Sequence, residues 1–274
     1  MNKKRTTPIK VKTSVSDALC KYIICSLAYL LFSSCMPEKQ AYTPKKYRGL
    51  KGKITSICDS VYDCTLQGFI PATGKLIEVS IIEFDAEGNT IKTMGYNADS
   101  TVMSISEFVY KDNVLFSNKS RQRIGEDVFA FTSERIAMND GTLRYKESNG
   151  SQEWIREVTT TGNYRREYSE GDYGYTKEEL WADDDNNIVK TKYLLMDNNH
   201  QFVNGTHTLE KTSTMKYDED GNVTEIVFVE GKDTVVTVCS HPRYDNYGNW
   251  TEERKETNGY FKQRIKRTIN YAGH

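Results

Sequence analysis

Residues 217–239 read YDEDGNVTEIVFVEGKDTVVTVC, and this stretch shows most fully the β-pattern of the chain. Two runs rich in Val, Ile and Thr, residues 223–230 and 234–239, lie on either side of Gly231, which is the pattern of two neighbouring β-strands. Before the first run, Gly221 can adopt a left-handed backbone and Asp218 can hydrogen-bond its own turn. We therefore expect two antiparallel strands here, entered through a hairpin corner.

The pattern aromatic-Asp-x-x-Gly-Asn recurs along the chain. Full copies also begin at Phe84 and Tyr244, and a degenerate copy spans residues 182–187, where Asn186 replaces Gly. Each copy separates two extended segments, so each predicts another hairpin corner. The residues to which we assign turn roles are Asp85, Gly88, Asn89, Asp218, Gly221, Asn222, Asp245, Gly248 and Asn249.

The segments between the corners predict a sheet that is open to water. Residues 250–256 and 261–267 are expected to pair, and both carry charge on alternate and adjacent positions alike. A sheet with charge on both faces is unsuited to the middle of a thick sandwich, and we find no convincing helical pattern. The predicted fold is all-β: an antiparallel hairpin meander forming an extended, curved and open-faced sheet.

The corners resemble the YD (RHS-type) repeats of bacterial envelope proteins. The opening Leu50-Lys51-Gly52-Lys53-Ile54 is also similar to lipoproteins of gut Gram-negative bacteria that carry a few such repeats. The resemblance covers residues 50–97 and 211–271 and is weak between them. It implies an all-β scaffold, usually without known enzymatic activity. Long RHS proteins enclose toxins with dozens of repeats, so that role does not transfer.

The N-terminal region predicts export. Lys21 is followed by an apolar run, residues 22–32, which is shorter than the roughly 20 residues of a membrane-spanning helix and typical of a signal peptide. Ser33 and Ser34 then precede Cys35, which resembles the lipobox of bacterial lipoproteins, although Phe32 stands where Leu is usual. The resemblance implies an acylated Cys35. An uncleaved anchor and plain secretion remain alternatives.

This interpretation divides the chain into three parts. Residues 1–34 are predicted to be a signal peptide, 35–48 a flexible tether and 49–274 an all-β domain with the corner repeats. The expected location is the cell envelope, lipid-anchored, at the periplasmic or surface face of the outer membrane. The expected partners are the lipid bilayer, through the acyl anchor, and a protein or glycan.

Composition favours a folded chain and argues against a nucleic-acid-binding protein. The chain is 37% hydrophobic and 27% charged, with 18 Tyr and a net charge of -1. So many aromatic residues argue for a folded chain. Acids and bases are interspersed, without the clustered Lys and Arg of a nucleic-acid footprint. We expect no nucleic-acid partner and no cofactor.

Few residues suggest chemistry. Cys239 and His241 could begin a nucleophilic site, but residues two apart on a strand lie about 6.5 Å from each other. The acidic turns at 183–185 and 218–220 lack the ligand spacing of a calcium-binding EF-hand loop, so we assign no metal site. We therefore predict no catalytic residue and keep a cysteine-dependent hydrolase using Cys239 and His241 as the alternative.

Two further expectations concern side chains on the sheet. Trp154, Trp181 and Trp250 could form one stripe that stacks against a sugar or a partner, or could serve the packing of the sheet itself. Cys58 and Cys64 would lie about 20 Å apart on one continuous strand, and a disulfide needs Cα atoms within about 7 Å. Only a hairpin between them would allow the bond.

The expected function is that of a non-enzymatic cell-envelope module that binds or scaffolds a protein or glycan. Besides the hydrolase, the alternative is a structural partner of an envelope transport or secretion complex.

Overall fold

The described part of the chain is built from antiparallel β-strands. The computed structural model describes residues 50–67, 70–139, 141–171, 174–185, 187–197 and 208–273. The strands are β1 (Ile54–Gln67), β2 (Ile70–Phe84), β3 (Thr90–Asn97), β4 (Val102–Lys111), β5 (Val114–Ile124), β6 (Asp127–Asn139), β7 (Thr142–Ser148), β8 (Glu153–Thr161), β9 (Tyr164–Gly171), β10 (Gly174–Ala182), β11 (Ile188–Asp197), β12 (Thr208–Tyr217), β13 (Val223–Glu230), β14 (Asp233–Tyr244), β15 (Trp250–Thr257) and β16 (Tyr260–Tyr271).

The sheet closes on itself. Each strand pairs with the next one in sequence, and β16 pairs with β1 to complete the ring. In this last pair Ile57 faces Ile269 and Val61 faces Ile265. The fold is therefore an up-and-down barrel, and closure leaves no unpaired sheet edge among the described strands.

Closure corrects the predicted architecture. The all-β, antiparallel meander is confirmed, but the open-faced sheet is wrong, and with it the assignment to lipoproteins with YD (RHS-type) repeats. Charge on both faces of a strand does not require both faces to be exposed to water, because inward-facing charges can form ion pairs with neighbouring strands. Arg267, for example, donates two hydrogen bonds of 2.7 Å to the carboxylate of Asp59 across the β1–β16 seam.

Side chains alternate between an inner wall and an outer wall, as a strand requires. On β7, for instance, Leu143, Tyr145 and Glu147 are buried, whereas Arg144 and Lys146 between them are exposed. Buried apolar side chains on the inner wall gather in two clusters. One contains Phe108, Leu115, Leu143, Tyr145 and Val158, and the other contains Leu50, Ile54, Ile57, Ile82 and Phe84.

Some predictions fall elsewhere in the chain. The signal peptide (1–34), the tether (35–48) and acylation of Cys35 lie outside the described residues. Within the described ranges, no helix has the length and apolar character needed to cross a bilayer. Cys58 and Cys64 are free thiols on one continuous strand, β1, so they do not form the disulfide that a hairpin would have allowed.

Candidate functional site

The inner wall of strands β7 to β10 holds a cluster of charged side chains, Glu147, Arg156, Arg165, Glu167 and Glu178, called here the inner ion cluster. All five are buried. They come together because directly paired residues on neighbouring strands project from the same face. Glu167 and Glu178 are such a pair on β9 and β10.

Two arginines bind two of the three carboxylates of this cluster, Glu147 and Glu167. Arg156 Nε donates to Glu147 Oε1 at 2.6 Å, and Arg156 Nη1 donates to Glu167 Oε2 at 3.0 Å. Arg165 Nη2 binds the other oxygen of Glu167. Trp154 Nε1 donates to the second oxygen of Glu147 at 2.7 Å, and the Arg156 guanidinium stands 4.5 Å over the Tyr145 ring. Glu147, Arg156 and Glu167 are thus each held by at least two partners.

The environment moves the pKa values of this cluster in opposite directions. Burial alone would lower the pKa of Arg156, but Glu147 and Glu167 outweigh it and the pKa is raised. Burial would raise the pKa of Glu167, but Arg165 and Arg156 outweigh it and the pKa is lowered. For Glu178, burial and the neighbouring Glu167 charge raise the pKa to about 8, against the opposing effect of the two arginines. At neutral pH, Glu178 is therefore mostly protonated.

The cluster can bind protons and polar groups inside the barrel. With Glu178 protonated, the two arginines balance Glu147 and Glu167. Arg156 Nη2 and Arg165 Nε have no hydrogen-bond partner among the described residues. Buried N–H groups of this kind usually bind water or a ligand oxygen.

The Cys239–His241 pair is not assembled as a nucleophilic site. Both side chains face the inner wall, but Glu253 is the partner of His241, with Oε1 3.4 Å from His241 Nε2. Burial, together with the Glu253 charge, raises the pKa of the Cys239 thiol to about 12. The thiolate is the reactive form of cysteine, so Cys239 is held in its unreactive state.

The three tryptophans do not share one surface. Trp154 faces the inner wall, where it binds Glu147. Trp181 lies on the outer wall, with its ring centroid 5.5 Å from that of Tyr164 and Lys190 Nζ 4.9 Å from the ring. Trp250 is buried under Arg267, whose guanidinium carbon stands 3.4 Å from the ring centroid. These positions do not form the common stripe that the sequence suggested for ligand stacking.

All copies of the corner pattern lie at turns on one rim of the barrel, because each of them follows an even-numbered strand. In the first copy, Asn89 N–H donates to Asp85 Oδ1 at 2.7 Å, and the Asn89 side-chain amide donates to Asp85 Oδ2 at 3.0 Å. Gly88 has a φ of 91°, which favours glycine. Asp218 and Asn222 repeat these bonds, with Gly221 at a φ of 81°.

The third copy also binds the two ends of the barrel wall. Asn249 N–H donates to Asp245 Oδ1 at 2.9 Å, as in the other copies, and Gly248 has a φ of 80°. Here the Asn249 side-chain amide donates instead to Lys51 O at 2.8 Å and to Tyr271 Oη at 2.7 Å. This corner therefore ties the start of β1 to the end of β16.

Sequence reasoning missed the inner ion cluster. Arg and Glu usually lie at the surface, so residue type alone does not mark these side chains as inward-facing. The available signal is weak: Arg165 and Glu167 are two apart on a strand and so share a face, with the charged Arg166 between them. Nothing in one strand shows which face will be enclosed.

Two solved structures align with most of this chain. A porin-like protein from Bacteroides vulgatus ATCC 8482 shares 12% identity over 81% of this chain and 99% of that chain, with a TM-score of 0.41. A porin-like protein from Bacteroides uniformis ATCC 8492 shares 11% identity over 80% of this chain and 99% of that chain, with a TM-score of 0.32. No protein-family description and no curated protein matches the sequence. At such low identities and TM-scores, nothing about function follows from the likeness.

Proposed function

We propose that this protein is a non-enzymatic barrel of the cell envelope whose outer wall faces water and not lipid. It acts as a binding or scaffold module for a protein or glycan. The observation that carries the proposal is the charged outer wall. Envelope location rests on the predicted signal peptide, residues 1–34.

Outward-facing side chains on strands β7 to β13 form ion pairs between neighbouring strands. Their cations are exposed, and their partners lie on the next strand. The pairs and their N–O distances are Arg144 with Glu157 (2.7 Å), Lys146 with Glu153 (2.9 Å), Lys192 with Glu210 (2.9 Å) and Lys216 with Glu225 (2.8 Å).

A wall with these exposed charges is unfavourable in contact with the hydrocarbon core of a bilayer. A membrane-spanning barrel presents an apolar outer band, and each Arg or Lys on the lipid face costs about 2–4 kcal/mol near the bilayer centre. Several such residues in neighbouring strands would oppose insertion of this wall into lipid. In water, by contrast, exposed ion pairs are neutral to slightly stabilising.

The interior supports a binding or scaffold role over catalysis. The thiol that the alternative hydrolase would need has a raised pKa, and its neighbouring imidazole binds Glu253. In the inner ion cluster, Glu147 and Glu167 are engaged by arginines. Partners would then meet the outer wall or a rim.

The test is to prepare residues 36–274 without detergent. We expect a soluble protein with a β-type circular dichroism spectrum and no ion conductance across planar bilayers. The same preparation, applied to a glycan array and used to capture envelope proteins, would identify the partner class. Folding only in detergent, together with conductance, would contradict the proposal and favour a membrane pore.

Activity provides a second test. We expect no turnover of general esterase or peptidase substrates by the wild-type protein. Turnover that disappears in Cys239→Ala would establish the hydrolase instead.

A further inference from the structure

One sector of the outer wall is apolar instead of ion-paired. Across β2, β3 and β4, the outward-facing residues Ile81, Met94 and Ile105 stand in one cross-strand row, and Val79 and Tyr96 form a second row beside it. All five are partly exposed. We call these five residues the apolar patch. Contiguous exposed apolar surface of this kind commonly marks an interaction site.

A basic stripe borders the patch. Lys119, Arg121 and Arg123 alternate along β5 and are exposed on its outer face. Arg121 stands between Ile105 of the apolar patch and Ala130 on β6. Arg123 stands opposite Val128, which is 58% exposed.

The two arginines differ from the cations of the opposite wall. No ion pair joins Arg121 or Arg123 to a carboxylate of the described residues, and their cross-strand neighbours are apolar. Lys119 has Glu107 opposite it. Glu107 lies diagonally across from Arg121 on the same face, but it does not bind either arginine. The two guanidinium groups beside the apolar patch thus differ from the ion-paired cations on strands β7 to β13.

A bilayer surface with anionic headgroups matches both features. Guanidinium groups bind phosphate in a bidentate manner, and apolar side chains next to them can enter the boundary between headgroups and acyl chains. The wall of a barrel is convex, and a fluid bilayer surface adapts to a convex shape. A lone basic stripe would fit many anions, but the adjoining apolar patch favours the membrane.

We infer that the outer wall of β2 to β5 docks on an anionic bilayer surface, with the apolar patch against the lipid and Arg121 and Arg123 on headgroup phosphates. This goes beyond the proposed function and requires only that this wall faces water. The ion-paired wall of β7 to β13 then remains free for a protein or glycan.

The experiment measures binding of the full-length chain to vesicles by flotation. Vesicles of phosphatidylethanolamine with phosphatidylglycerol are compared with vesicles of phosphatidylcholine alone. The variant is Arg121→Glu with Arg123→Glu. The matched control is Lys190→Glu with Lys232→Glu, which makes the same charge change at exposed positions away from the patch. The leader is common to all chains, so the ratio of affinities for the two vesicle types reports the wall.

We expect the wild-type chain to prefer anionic vesicles, and the preference to fall by at least about tenfold in the Arg121/Arg123 variant, since each basic residue near an anionic surface contributes about 1 kcal/mol. The control should keep the preference within about twofold. A second variant, Ile81→Ser with Ile105→Ser, should weaken binding at high salt, where the electrostatic part is screened. Circular dichroism verifies that every chain is folded.

Equal preference in the Arg121/Arg123 variant and the wild type would overturn the inference, as would a wild-type chain indifferent to vesicle charge. In either case the patch would be assigned to a protein partner. Neither result affects the proposed function, which fails only if the barrel needs detergent to fold and conducts ions.

Discussion

At the scale of single residues, Glu178 makes the stability of the barrel depend on pH. Its carboxyl group is buried beside Glu167, and its pKa is raised to about 8. Because the unfolded chain releases this proton near pH 4.5, the folded state holds one more proton between these two pH values. The stability that Glu178 contributes is complete below the unfolded pKa and is lost as the pH rises through the folded pKa.

We predict that Glu178→Gln removes this loss. Glutamine keeps the shape of the protonated acid but has no proton to release. At pH 9, the free energy of unfolding of the variant should therefore exceed that of the wild type by on the order of 3 kcal/mol. At pH 4.5, the two free energies of unfolding should be similar. Urea denaturation at both pH values measures the difference. A wild-type stability that is constant between pH 5 and 9 would contradict the shifted pKa.

Arg156 should matter far more for stability than Arg144, although the two lie on neighbouring strands. Arg156→Ala leaves Glu147 and Glu167 buried without their partner, and breaking a buried pair in this way costs about 3–5 kcal/mol. Arg144→Ala removes an exposed pair with Glu157 and should cost less than about 1 kcal/mol. Thermal and urea unfolding of the two variants provides the comparison. Equal losses would show that the inner ion cluster is solvated.

At the scale of elements, the corners are the part of the fold that the sequence predicts best. Each full copy combines a glycine at positive φ with an Asp and an Asn, and these signals act within a few residues. Strand β13 spans the run 223–230 that the sequence indicated. Strand β14 extends beyond the predicted 234–239 to Tyr244, because Pro242 sits where the pairing register shifts, a position that tolerates proline in a sheet.

We predict that Asp85→Ala destabilises the barrel by about 1–2 kcal/mol. The substitution leaves the Asn89 backbone N–H and side-chain amide without the carboxylate that binds both, and a buried unsatisfied donor costs about this much. Glu87→Ala in the same turn is the control, because Glu87 is exposed. It should change the free energy of unfolding by less than about 0.5 kcal/mol. A similar effect of both substitutions would mean that the turn tolerates any side chain at Asp85.

At the scale of the whole molecule, closure could not be predicted. It depends on pairing between β1 and β16, which begin at Ile54 and Tyr260. Neither strand carries a local signal that names its partner. Asp59 and Arg267 each look like surface residues in sequence, and only their pairing explains why both can face inward. The same reason hid the inner ion cluster, since its residues come from four strands.

We predict that a chain ending at Thr257, which lacks β16, does not form a stable monomer. Removal of β16 exposes the pairing edges of β1 and β15. It also removes Arg267, which binds Asp59. Open edges promote association between chains. Size-exclusion chromatography and circular dichroism should show aggregated or unfolded protein. A soluble monomer with the wild-type spectrum would indicate that the sheet is stable when open.

The seam also brings the two ends of the described barrel side by side. Ile54 pairs with Tyr271, and Ala272 N–H donates to Lys53 O at 2.8 Å. A short linker could therefore join residue 273 to residue 50, and the chain could be reopened between Gly231 and Lys232, in a turn on the opposite rim. Such a circular permutant would keep every strand neighbour. It would also move both chain termini to the opposite rim of the barrel. A domain or leader fused to a terminus would then tether the molecule in the inverted orientation.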